Sequence, residues 1–334
     1  ALSFSLAVAF LWSPFWLHLH AASVLFDSGP AKRPGWLPRC LQQAVRVQRL
    51  PAPAGTKSGP SRLYLPRSRE RIPGVVLVHG VHHLGIDEPR LTAFARALAS
   101  VGIAVSTPAM EELAAFRIEE STIAAIGSAA GELARRTGYR TAGVIGISFS
   151  GGLALLAAAD PQIGRQIGFV VCIGAHHDLE RVARYYSGQP IRGPDGRAYP
   201  VPAPPYGPRL LVYAYLSALF DKKDLPTARR VLRTYLRDQH RRAREMAREL
   251  EQPAQSRMLA LLDYRDRATI AEALQLILAD RQAELAPVSP RGRGKAGEKS
   301  GLLLVFLVHR QAVFLELVLL VVLAAILELA LVLS

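Results

Sequence analysis

Short apolar runs alternate along this chain with longer stretches whose apolar positions recur every three or four residues. Gly74–Gly80, GVVLVHG, is a continuous β-branched run, and such runs form strands buried on both faces, as in a parallel sheet. Pro89–Ser100 sets Leu91, Phe94, Ala95 and Leu98 on one helical face. Gly102–Val105 reads as a strand stopped by Pro108, and Ile118–Arg136 as a helix ended by Gly138. Ala142–Ile145 is a further strand, Leu153–Ala159 a Leu- and Ala-rich helix, and Ile167–Gly174 the next strand. Upstream, Ala44–Leu50 alternates as an edge strand does, and Ser61–Pro66 pairs with it in a hairpin through Gly55–Gly59. Strands and helices in alternation imply an α/β fold with a mostly parallel sheet, flanking helices and right-handed crossovers.

Outside this core the pattern changes. Residues 1–27 are apolar almost throughout and read as a signal segment or membrane anchor. Left uncleaved, with Lys32, Arg33 and Arg39 behind it, the segment keeps the main domain on the cytoplasmic side; cleaved, it sends the protein for export. Residues 28–60 form a Pro-rich linker around the edge strand, and 61–178 the α/β core. Ile191–Pro208 is rich in Gly and Pro and reads as a loop. Leu210–Leu285 is largely helical, so 179–286 is expected to be a helical lid or cap. Residues 287–300 are a basic linker. Residues 301–334 hold an apolar strand, Gly301–Val308, followed by Val313–Leu333, which has the length of a transmembrane helix but contains Glu316 and Glu328.

Charge narrows the partners. The 334 residues carry a formal net charge of +14, a balance that suits an anionic surface. The densest basic stretch, Arg229–Leu250, reads first as a solvated helix face and second as a surface for anionic lipid headgroups. No zinc-finger spacing and no aromatic-interleaved basic run is present, so no nucleic-acid partner is expected. The two cysteines, Cys40 and Cys172, define no disulfide framework.

The chemistry concentrates in Thr141–Asp160, TAGVIGISFSGGLALLAAAD. A strand runs into Gly146-Ile147-Ser148-Phe149-Ser150-Gly151-Gly152 and then into a helix, the setting of a nucleophile elbow. Gly146 lies two residues before Ser148, and Gly151 three after it. Ser150 occupies the place where the usual motif has glycine. The competing readings are a turn that merely packs tightly or one that cradles a phosphate, but G-x-x-x-x-G-K-[ST] and G-x-G-x-x-G are both missing. The strand ending in His79-Gly80 supplies a second feature. Hydrolases build half of an oxyanion hole from a backbone N–H just past such a glycine.

In this order of motifs, over roughly Leu63–Leu179, the chain resembles the α/β-hydrolase superfamily, nearest to the dienelactone-hydrolase-like serine esterases. The resemblance implies Ser148 as nucleophile, the backbone amides of Val81 and Phe149 as oxyanion donors, and a small-molecule ester as substrate. Asp178, just past a core strand, is a candidate acid, although the N-cap of the helix that starts at Leu179 is the favoured reading, since the superfamily usually puts its acid one strand later. His309 is the candidate base, since it ends the strand Gly301–Val308. The superfamily usually carries its acid after that strand, whereas here Arg310-Gln311-Ala312-Val313 follows. No cofactor is expected. No metal is expected either, because His82-His83 and His176-His177 are adjacent pairs and neighbours in a strand face opposite ways. Three functions therefore stand: a membrane-associated serine esterase, a catalytically incomplete membrane-tethered binding module of the same fold, and an integral membrane protein whose apolar ends pair.

Overall fold

The computed structural model describes residues 19–20, 22–24, 42–52, 59–67, 72–175, 179–193, 195–199, 206–263 and 303–306. The chain divides into two compact units, Ala1–His176 with Ser300–Ser334, and His177–Lys299.

The first unit is built on a seven-stranded sheet. Its strands are β1 (Val45–Leu50), β2 (Ser61–Pro66), β3 (Gly74–Val78), β4 (Ala104–Pro108), β5 (Ala142–Ile147), β6 (Ile167–Ile173) and a last strand, Leu303–Phe306, that follows the second unit in the chain. The spatial order is β1-β2-β4-β3-β5-β6 and then Leu303–Phe306. β2 is antiparallel to both β1 and β4, and every other pairing is parallel. β5 therefore lies inside the sheet, with β3 on one side and β6 on the other. The expected edge strand and hairpin partner pair from Val45↔Pro66 to Leu50↔Ser61.

Helices α1 (Pro89–Ser100), α2 (Glu111–Ala114), α3 (Ser121–Thr137) and α4 (Phe149–Ala159) belong to this unit. The two-residue period of β3 explains their placement. Val75 and Leu77 belong to a buried cluster with Leu91, Ala95 and Leu98 of α1 and with Tyr64, Ile145, Phe169 and Val171. Gly74, on the opposite face, abuts Leu133 and Thr137 of α3. The sheet is thus covered on both faces, which is why β3 and β4 are buried at every position.

Several boundaries differ from the sequence expectation. β4 begins at Ala104 rather than Gly102, because Gly102 turns the chain at φ +104°. The long helix begins at Ser121 rather than Ile118, behind Phe116 at φ +64°, and the one-turn α2 precedes it. Among the described residues, no helix is long and apolar enough to cross a membrane. Most of the apolar segment 1–27, the basic linker 287–300 and the apolar run 313–333 lie outside the described residues.

The second unit contains α5 (Leu179–Tyr186), β7 (Ile191–Arg192), β8 (Ala198–Tyr199), α6 (Tyr206–Ala214), α7 (Leu225–Leu236), α8 (His240–Ala247) and α9 (Ala254–Asp263). With these named, Leu303–Phe306 becomes β9. The stretch 191–208, expected to be a loop, holds the small antiparallel ladder β7–β8 and the start of α6. The tight turn between those strands uses Gly196 at φ +75°. Pro208 falls in the first turn of α6, where its missing N–H costs nothing.

Arg209 organises this unit. Its side chain is buried, and it donates from Nε to the Leu261 carbonyl at 3.0 Å and from a terminal nitrogen to the Leu262 carbonyl at 2.7 Å. The guanidinium also sits 4.6 Å from the Tyr235 ring centroid. One guanidinium thus ties α6 to two successive backbone carbonyls of α9 through charged donors. Arg209→Met is expected to cost about 3 kcal/mol, the sum of two charged hydrogen bonds and a ring contact less the retained packing. Urea unfolding followed by circular dichroism checks this. Arg209→Lys should fall between, since an ammonium lacks the planar fork.

Candidate active site

Ser148 stands between β5 and α4 with φ +58° and ψ −131°. This is a region that side-chain-bearing residues rarely enter, and it costs on the order of 1–3 kcal/mol. The surrounding backbone holds the residue there. The Ser148 N–H donates to the Ile173 carbonyl at the end of β6 at 2.8 Å, and the Ser148 carbonyl accepts from the Gly151 N–H at 3.0 Å. Ser148 itself is half-buried, whereas Phe149, Ser150 and Gly151 behind it are buried.

Two glycines make the bend possible. A Cβ on Gly146 would come within 2.5 Å of the Gly151 Cα and 2.6 Å of its nitrogen. A Cβ on Gly151 would meet the Ala175 Cβ at 2.5 Å. The glycine that strand–helix contact demands is therefore Gly151, one position later than the usual motif has it, and position 150 is released for a side chain. Ser150 fills that place. It is fully buried, and its Oγ accepts from the Ile147 N–H at 2.8 Å.

The end of β3 lies against this bend. A Cβ on Gly80 would sit 3.3 Å from the Ser148 Cβ and 3.2 Å from the Ile147 carbonyl oxygen. The structure thus brings together Gly80, Gly146, Ser148, Ser150 and Gly151, with Phe149 opening α4 and the buried Val81 next after Gly80. Asp178, His176, His177 and His309 lie outside the described residues. Among the described residues, no imidazole or carboxylate hydrogen-bonds the Ser148 hydroxyl.

Sequence reasoning named His79 as part of a motif and missed what its side chain does. The ring is 2% exposed. Nδ1 lies 2.7 Å from the Gly80 carbonyl and Nε2 accepts from the Met110 N–H at 3.2 Å. A carbonyl on one side and an N–H on the other select the neutral ring protonated on Nδ1. Burial pushes its pKa below the ordinary value, opposed in part by the Gly80 carbonyl and helped by nearby His82. The partner, Met110, is 31 residues away at the N-terminus of α2, so no local pattern announces it.

Two neighbouring groups are also defined. The Cys172 thiol donates to the Gly151 carbonyl at 3.4 Å, and burial raises its pKa to about 11, so it stays protonated at neutral pH. His82 and His83 do not face opposite ways as expected. They lie in the turn after β3 rather than within a strand, and their ring centroids are 4.6 Å apart.

A serine held on a strained strand-to-helix turn at the end of a mostly parallel sheet defines an α/β-hydrolase-type fold, and the chain resembles that class. No protein-family model matches the chain, and a comparison with curated proteins finds no match. Solved structures similar to it include dienelactone hydrolase from Anabaena variabilis, at 22% identity over 42% of this chain and 68% of that one, with a TM-score of 0.34. Brefeldin A esterase, described as a bacterial homologue of human hormone-sensitive lipase, is 16% identical over 77% and 63%, with a TM-score of 0.36. A hyperthermophilic esterase from the archaeon Pyrobaculum calidifontis is 21% identical over 52% and 55%, with a TM-score of 0.34. The chain spans less than two thirds of the length of either esterase. Likenesses of this size carry no argument about activity, and the fold assignment rests on the strand order and elbow of the chain itself.

The neutral His79 has a measurable consequence. With its folded pKa below the ordinary 6.5, the native state binds fewer protons than the unfolded chain as pH falls through that range. Its contribution to stability is therefore complete above about pH 6.5 and is lost below it. His79→Gln keeps an acceptor for the Met110 N–H that does not titrate. The urea midpoint of the wild type should drop more between pH 7.5 and 5.5 than that of His79→Gln; parallel slopes would remove His79 as the cause.

Proposed function

We propose that this protein hydrolyses a carboxylic ester of a small molecule through an acyl-enzyme on Ser148. The observation that carries the reading is the conformation of Ser148, a half-buried serine kept at φ +58° between strand and helix. Strain of this kind persists where surrounding structure enforces it, and it clusters at reactive residues. In this reading the Ser148 Oγ attacks the ester carbonyl while its proton passes to His309, and Asp178 orients that imidazole. The three follow the superfamily's chain order of serine, acid and histidine. The amides of Phe149 and Val81 hold the oxyanion. The alcohol leaves with the proton returned by His309, and water then releases the acid by the reverse sequence.

Reaction with a fluorophosphonate probe tests the proposal. The wild type is expected to be labelled at one site and Ser148→Ala not at all. Folded wild-type protein that stays unlabelled contradicts it.

A second reading, a membrane-tethered module without catalysis, is favoured by the sequence after His309, where Arg310-Gln311-Ala312-Val313 stands in place of an acid. One observation supports a membrane surface on both readings. Arg229, Arg233, Arg237, Arg242 and Arg248 are all exposed, and none makes an ion pair among the described residues. On either reading the proposed surroundings are an anionic membrane surface, with the main domain on the cytoplasmic side. Binding to phosphatidylserine vesicles that weakens with salt, and that phosphatidylcholine vesicles do not show, is the expected result. Equal binding to both would count against it.

A further inference from the structure

The hydroxyl of Ser150 is placed where the usual elbow has no side chain at all, and its bonds reach beyond the elbow. Oγ accepts the N–H of Ile147, the last residue of β5, at 2.8 Å. Its single proton faces two carbonyls, that of Val78 at 3.0 Å and that of Ile147 at 2.8 Å. Val78 is the last residue of β3 and lies 72 positions earlier. One buried hydroxyl therefore touches the residue before Ser148 and the strand end that leads through His79 and Gly80 to Val81.

A parallel ladder does not do this by itself. β3 and β5 are registered from Val75↔Gly143 to Val78↔Gly146, and the ladder ends there. Past that point Gly80 lies against Ile147 and Ser148, and this hydroxyl adds a hydrogen bond from the elbow to the end of β3.

We propose that Ser150 is a positioning residue. It sets the separation between the Ser148 elbow and the β3 exit, and with it the spacing of the two oxyanion amides on Phe149 and Val81. The inference rests on the reading of Ser148 as nucleophile. It predicts a result opposite to motif matching, since Ser150→Gly restores the usual glycine two residues after the nucleophile and should nonetheless impair the enzyme.

The full chain is compared as wild type, Ser150→Gly, Ser150→Ala and Ser150→Cys, each first shown to be folded by circular dichroism. The cysteine variant nearly conserves volume and keeps a weak donor, so it guards against loss of folding in the smaller variants. p-Nitrophenyl butyrate turnover and the second-order rate of fluorophosphonate labelling are the readouts. Removing one oxyanion donor lowers kcat by roughly a hundredfold or more, and a displaced donor loses part of that. A fall in kcat of about tenfold or more is therefore expected for Ser150→Gly and Ser150→Ala, with KM within about twofold and with Ser150→Cys between them and the wild type. Labelling should slow in parallel while still ending on Ser148. Wild-type rates in folded Ser150→Gly, or a loss confined to KM, overturn the inference and leave the Ser148 reading intact. A wild type that neither reacts with the probe nor turns over the ester overturns both.

Discussion

The structure depends on how closely a strand and the helix that follows it are allowed to meet. Gly146 in β5 and Gly151 in α4 touch backbone to backbone, with no room for a Cβ on either. That contact leaves the intervening residues one way round the corner, and Ser148 takes the strained position. Neighbouring strands fix both sides of the bend. β6 binds the Ser148 N–H through the Ile173 carbonyl, and β3 brings Gly80 against the Ser148 Cβ. The strain at one residue is held in place by a core that is buried along the whole of β3 and nearly all of β5.

The same buried setting decides which groups are inert. Ser150, two residues from the candidate nucleophile, is consumed by hydrogen bonds to backbone. Cys172 is kept as a thiol. His79 is locked in one neutral tautomer between Gly80 and Met110 and serves as a strut between the β3 exit and the start of α2. Of the polar side chains at the bend, Ser148 is the one that is not fully enclosed.

Much of this was legible in the chain. The apolar runs at 74–80, 142–145 and 167–174 mark the buried parallel strands because no polar alternation interrupts them. The glycine spacing around Ser148 marks the elbow because only residues without a Cβ permit that contact. Ser150 was read as a mild departure from the motif, and its role depends on a carbonyl 72 residues away that no local pattern encodes. The ladder at Ile191–Tyr199 escaped notice because two-residue strands carry no periodicity. His82 and His83 were misjudged by assuming strand geometry just past the point where β3 ends. Asp178 and His309 were reached from the apolar strands they follow in the sequence, and both lie outside the described residues.

The most direct measurement is a crystal structure of the protein after reaction with a p-nitrophenyl alkylphosphonate. The account predicts phosphorus bonded to the Ser148 Oγ, that residue still at positive φ, and the phosphonyl oxygen about 3 Å from the amide nitrogens of Phe149 and Val81. An adduct on another side chain, or a phosphonyl oxygen turned away from both amides, would contradict it.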